Sequence, residues 1–121
     1  MTHLQQKRIY EPYAPTDGFR ILVDRLWPRG VKKETAHIDL WAKDITPTTA
    51  LREDYHSGRD TWPEFEAKYR AELLHNPALE GFLHAVSHHE TVTLLFAGKD
   101  VEHTHVTVIL DVLRQQIQSE A

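Results

Sequence analysis

The chain has 121 residues, 40% hydrophobic and 26% charged, with a net charge of −4. That is the size and composition of one folded domain, expected to span residues 1–121, and it excludes wholesale disorder. There is no cysteine, which removes disulfides, thiolate zinc sites and cysteine nucleophiles and fits a reducing compartment.

The N-terminal MTHLQQKRIY has no apolar signal core, and no later segment approaches the roughly 18 apolar residues of a membrane span; a soluble, cytoplasmic protein without a membrane partner is expected. Along the chain, KRIYEP (7–12) reads as a short strand with Ile9 and Tyr10 apolar and Pro12 ending it. PTDG (15–18) is a turn signal. FRILVD follows as a strand, with Phe19, Ile21 and Val23 on one face and Leu22 on the other, so both faces are expected to be covered. HIDLWAKDI (37–45) suits either a short helix or an irregular strand.

After Pro47, TTALREDYH reads as a helix capped by Thr48, with Leu51 and Tyr55 sharing a face. TWPE places Thr61 three residues before Glu64, a reciprocal capping box with Pro63 in the first turn. Trp62, Phe65, Tyr69 and Leu73 then form a stripe at helical spacing, with Glu64–Lys68 and Glu66–Arg70 expected to pair on the exposed side. Asn76-Pro77 signals another helix start, with Leu79, Phe82, Leu83 and Val86 as its buried face. TVTLLFAG reads as a strand buried on both faces, and HVTVILDVLRQQIQ as a closing helix. Strands alternating with helices predict a small three-layer α/β domain with a mainly parallel sheet flanked by helices.

Two of these strands run directly into charge, at DRLWPRG (24–30) and AGKD (97–100). Between Asp24 and Lys33 four basic residues stand against one carboxylate, a net +3 within an acidic chain. In an open parallel sheet ligands collect beyond the carboxyl ends of the strands. If the two strands are parallel neighbours, Asp24, Arg25, Arg29, Lys99 and Asp100 converge there. Arginine forks and a lysine point charge suit phosphate or carboxylate, so Arg25, Arg29 and Lys99 are expected to hold an anion. Asp24 and Asp100 are the candidate catalytic acid–base groups. Trp27 is the candidate wall, Pro28 stiffens the turn and Gly30 permits a positive φ. The competing reading is structural, with Trp27 filling core volume and Asp24 paired to Arg25 or Arg29.

Nine histidines are present. His103 and His105 follow the Lys99–Asp100 pair and are taken as ligand-binding candidates, whereas His88 and His89 read as solvated residues at a helix end. None of these spacings matches a zinc pattern, so no metal ligand is assigned, and the residues point to no particular cofactor. A Gly-rich phosphate loop, a G-x-S-x-G elbow and a dinucleotide fingerprint are all lacking.

The segments DGFRILVDRLWPRGVKKE, HIDLWAKDITPTTALR, WPEFEAKYRAEL and TLLFAGKD, in that order, resemble the YeaO-like family of bacterial proteins, a domain of unknown function. The resemblance runs from about Ile9 to Leu113. It implies an α/β domain without an established reaction, and its motif positions fall here on Asp24, Arg25, Trp27, Pro28, Arg29, Gly30, Lys32, Trp41, Lys43, Pro47, Leu51, Arg52, Lys99 and Asp100. One position departs: where the family shows asparagine near the start of the last helix, this chain has Thr104. Threonine retains capping ability but loses an amide contact.

The expected function is an enzyme or ligand-binding domain for an anionic small molecule, phosphate or nucleotide, at the ends of the strands closing at Asp24 and Lys99. The alternatives are a nucleic-acid-binding module using the basic loop 25–33, which the acidic balance disfavours, and a protein-interaction domain built on the same Trp- and Arg-rich loop.

Overall fold

In a computed structural model describing residues 2–118, four strands form one all-parallel sheet in the order β1-β4-β2-β3. The strands are β1 (His3–Arg8), β2 (Phe19–Leu22), β3 (Leu40–Trp41) and β4 (Thr91–Phe96). The helices are α1 (Lys33–Ala36), α2 (Thr49–His56), α3 (Trp62–Leu74), α4 (Leu79–Ser87) and α5 (His105–Gln118). Short 3₁₀ turns at Pro15–Asp17 and Lys43–Ile45 complete the elements. No helix among the described residues is long and apolar enough to cross a membrane.

The three layers are unequal. Residues 19 and 21 of β2, Val23 just after it, and 92, 94 and 96 of β4 alternate onto one face, where Ile21, Val23, Val92, Leu94 and Phe96 meet the buried stripes of α2 to α5 in the main core. Leu22 and Leu95 point the other way and join Ile9 under Trp27 and Trp41. That second face is covered by loops and the single turn of α1 rather than by long helices. Both central strands are thus buried on both faces, as their continuous apolar runs predict.

The capping chemistry is where the sequence places it. Thr48 accepts the Leu51 N–H at the start of α2, and Thr61 and Glu64 form the reciprocal box that opens α3. Tyr69, buried on α3, donates its hydroxyl to the Ile45 carbonyl at 2.6 Å. Desolvation pushes its phenol far above the ordinary range.

Four expectations are corrected. The first strand is His3–Arg8 rather than 7–12. As an edge strand it can stay polar: Gln5 donates to the Thr93 hydroxyl at 2.8 Å and Lys7 pairs with Asp17, so side-chain hydrogen bonds replace an apolar face. HIDLWAKDI is neither one helix nor one strand, because β3 occupies only two residues and a 3₁₀ turn follows. The α3 cations leave their i,i+4 partners for stronger geometry elsewhere, Lys68 joining Asp60 at 2.8 Å and Arg70 reaching Asp111 on α5 at 2.5 Å. Finally, α4 starts at Leu79, with Asn76 accepting the Ala78 N–H in the turn before it.

Candidate functional site: a cleft beyond β2 and β4

Because Leu22 pairs with Leu95 in register, the chain leaves β2 and β4 side by side. Asp24 then stands level with Ala97. Its Oδ2 accepts the Ala97 N–H at 2.8 Å where the ladder would otherwise have continued, so this carboxylate terminates the sheet. Neither arginine of the loop is its partner. Oδ1 instead lies 3.4 Å from Nε2 of His105, whose closer contact is with the Val23 carbonyl at 2.7 Å. His105 thereby fastens the start of α5 to the end of β2.

The loop after Asp24 is pinned by its carbonyls. Trp41 donates its indole N–H to the Asp24 carbonyl and Trp27 to the Val31 carbonyl, both at 2.7 Å, and Tyr10 donates its hydroxyl to the Arg29 carbonyl at 2.9 Å. The two indoles meet edge to face with centroids 5.4 Å apart. Pro28 is buried and Gly30 has φ 77°. Trp27 therefore does both things the sequence suggested, packing on the second core while bordering the cleft. The loop after β4 is braced from β1, where Arg8 donates to the Ala97 and Gly98 carbonyls at 2.8 Å each.

Between these loops and the ends of α2 and α3 lies a cleft of about 520 Å³. All eight residues singled out from the sequence (Asp24, Arg25, Trp27, Arg29, Lys99, Asp100, His103 and His105) line it. Strand alternation does not set the directions of Arg25 and Arg29, because β2 ends at Leu22 and the motif is loop. Arg52, Tyr55 and His56 of α2 and Trp62 of α3 line the same cleft. The sequence marks Tyr55 and Trp62 as helix-face residues and Arg52 only through the family resemblance. The available signal was the i, i+3, i+4 spacing of Arg52, Tyr55 and His56, which places all three on one side of α2.

The two carboxylates and the four cations differ sharply. Asp100 accepts the backbone N–H groups of His103 and Glu102, each at 2.9 Å, and these bonds hold its carboxyl below the usual range. It is ionised throughout the neutral range and braces the loop that carries His103. Thr104 is buried, and its hydroxyl accepts the Val106 N–H at 3.4 Å, capping the start of α5. Arg25, Arg29, Arg52 and Lys99, by contrast, form no ion pair among the described residues; Arg25 alone has a side-chain partner, the Thr49 hydroxyl.

The remaining histidines lie elsewhere. His88 is exposed at the end of α4 with Nδ1 2.7 Å from the His84 carbonyl, as expected, but His89 is stacked on Phe19 at 3.8 Å and is only partly solvated. No group of three or more His, Asp or Glu side chains poised to hold a metal occurs among the described residues.

Comparison with known proteins agrees with the motif reading. A family model described as "Inactive DUF488-N3 subclade" matches residues 3–121. The chain is 40% identical over 112 residues to the Escherichia coli K12 protein named "Uncharacterized protein YeaO", covering 93% of this chain and 97% of that one. It is 36% identical over 112 residues to the Mycobacterium tuberculosis H37Rv protein "Uncharacterized protein Rv3073c", covering 93% and 94% respectively. No solved structure matches. The chain therefore belongs to the DUF488 family, in the subclade whose model is described as inactive.

Proposed function

We propose that this protein is a binding domain for an anionic, phosphate-bearing small molecule held in the cleft beyond β2 and β4. The observation that carries the reading is the charge state of the cleft: four cations line it without a carboxylate partner among the described residues, Arg52 on α2 and the others on loops braced by hydrogen bonds to their carbonyls. Preorganised donors of this kind bind without first breaking an internal ion pair. The two cleft carboxylates are occupied by backbone N–H groups. This favours binding over proton-transfer chemistry, in keeping with the description of the subclade.

A small ligand is also favoured over a polymer. The cations of the loop 25–33 divide, since Arg25 and Arg29 border the cleft whereas Lys32 borders a separate groove and Lys33 sits 5.5 Å over the Trp27 ring. They make no continuous phosphate track.

The test is a thermal-shift and calorimetric titration with pyrophosphate and inorganic phosphate. Saturation near 100 times Kd should raise the melting temperature by several degrees. Arg29→Ala and Lys99→Ala should each weaken binding at least tenfold. Binding unchanged in both variants would overturn the proposal. A steep salt dependence with oligonucleotides, exceeding that with pyrophosphate, would replace it with the nucleic-acid reading.

A further inference from the structure

The anion reading leaves half of the cleft unused. Besides the cations, the cleft has a wall of rings: Tyr55 of α2 and Trp62 of α3 with centroids 5.7 Å apart, and His103 of the β4–α5 loop 5.2 Å from Trp62. Phe65, buried behind them, stacks on Trp62 at 5.5 Å and fixes its plane. Tyr55 and Trp62 are only partly buried, so each keeps ring surface at the cleft, and His103 is exposed.

The two halves are joined on a single helix. Arg52 and Tyr55 stand three residues apart on α2, which puts a cationic and an aromatic side chain on one face with their Cβ atoms about 5–6 Å apart. A bare oxyanion would engage the cations and leave the ring wall and most of the 520 Å³ empty. That volume is in the range of sites that enclose a whole small molecule. A ligand with a planar ring and an oxyanion separated by a short spacer would engage both halves together.

Resting on the anion reading above, we infer that the ligand is a nucleoside phosphate, with the phosphate at Arg29, Arg52 and Lys99 and the base against the Trp62–Tyr55–His103 wall. The sugar supplies the spacer. Base–aromatic stacking is tolerant of base identity, so the wall selects for a ring before it selects among bases.

The experiment is calorimetric titration of the full chain with AMP, CMP, phenyl phosphate, ribose 5-phosphate and inorganic phosphate. AMP and CMP should bind about tenfold or more tightly than ribose 5-phosphate, the factor expected of one stacked base. Trp62→Leu should reduce that ratio towards one while leaving ribose 5-phosphate affinity unchanged. Because Trp62 also packs on the core, His103→Ala on the exposed loop serves as a second variant and should reduce the ratio in the same direction. Equal affinity for AMP and ribose 5-phosphate in the wild-type protein would overturn the ring inference and leave the anion site standing. Phenyl phosphate matching AMP would replace the nucleoside with a simpler aryl phosphate. If none of the five compounds bound, the anion reading and the inference would both fail.

Discussion

Two clusters of acidic and basic side chains flank β2, one at its start and one beyond its end, and they settle into opposite states. At the start of the strand, Asp17 is buried between Arg20 and Lys7, accepting from the guanidinium at 2.5 Å and from the ammonium at 3.1 Å. Arg20 is itself only 2% exposed, and its remaining donors go to the His37 and Ala36 carbonyls at 3.0 and 3.1 Å. Beyond its end, Arg25, Arg29, Arg52 and Lys99 stand around an open cleft with no carboxylate paired to any of them among the described residues. The same residue types thus close a structural network at one end and leave a binding surface at the other. What separates them is partnership: a buried guanidinium needs its acceptors supplied by the fold, whereas an exposed one can wait for a ligand.

The contrast breaks most severely at Asp17. Asp17→Ala would leave Arg20 buried and uncompensated, so a loss of about 3–5 kcal/mol is expected in denaturant unfolding. Retention of wild-type stability would mean that this network is no more structural than the cleft. The same carboxyl sets an acid limb. Burial alone would raise its pKa, but the Ala14 N–H together with Lys7 and Arg20 outweighs burial and holds it below the ordinary 3.8. A depressed folded pKa gives stability that is fully present above the unfolded value and is lost as the pH falls through the folded one. Unfolding titrations should therefore show this contribution intact above about pH 5 and declining below about pH 4. In Asp17→Ala that portion of the slope should be absent.

Glycines on either side of the strand sharpen the same comparison. Gly18 has φ 66°, and a Cβ there would fall 2.3 Å from the Thr91 carbonyl oxygen, a backbone atom that cannot swing aside. Gly30 has φ 77° but nothing within 4 Å of its virtual Cβ. Gly18→Ala should cost more than the roughly 1–2 kcal/mol of left-handed strain alone, and Gly30→Ala about that strain and no more. Thermal melts of the two variants measure the difference directly.

The smallest expected effect is on the stability of the cleft variants. Arg29→Ala and Lys99→Ala remove exposed side chains without partners, so each should lie within about 0.5 kcal/mol of wild type. A larger loss would show that these cations support the fold, and would remove the separation between the two clusters.

Much of this was legible before folding. The cap at Thr48, the capping box at Thr61, the double-sided burial of β2 and β4 and the turn at Gly18 follow from local chemistry, and local chemistry is what a sequence states directly. The edge strand β1 was missed because its pairing is met by Gln5 and Lys7 rather than by an apolar face. The α3 ion pairs were misassigned because Asp60 and Asp111 compete from outside the helix turn. For the cleft, the strand-end residues could be named individually, since charge following an apolar run is visible in one dimension. The Trp62 ring was legible only as a core residue, because a partly buried aromatic and a fully buried one follow the same helical spacing.

The sequence by itself determined the α/β alternation, the starts of α2, α3 and α5 and the two charged strand ends, since each depends on residues within a few positions of one another. Tertiary structure decided which charges are paired. The register of β2 against β4 brings Asp24 to the Ala97 N–H and leaves Arg29 and Lys99 unpartnered across a shared cleft. That outcome depends on groups more than seventy residues apart, and no local propensity encodes the distance between them.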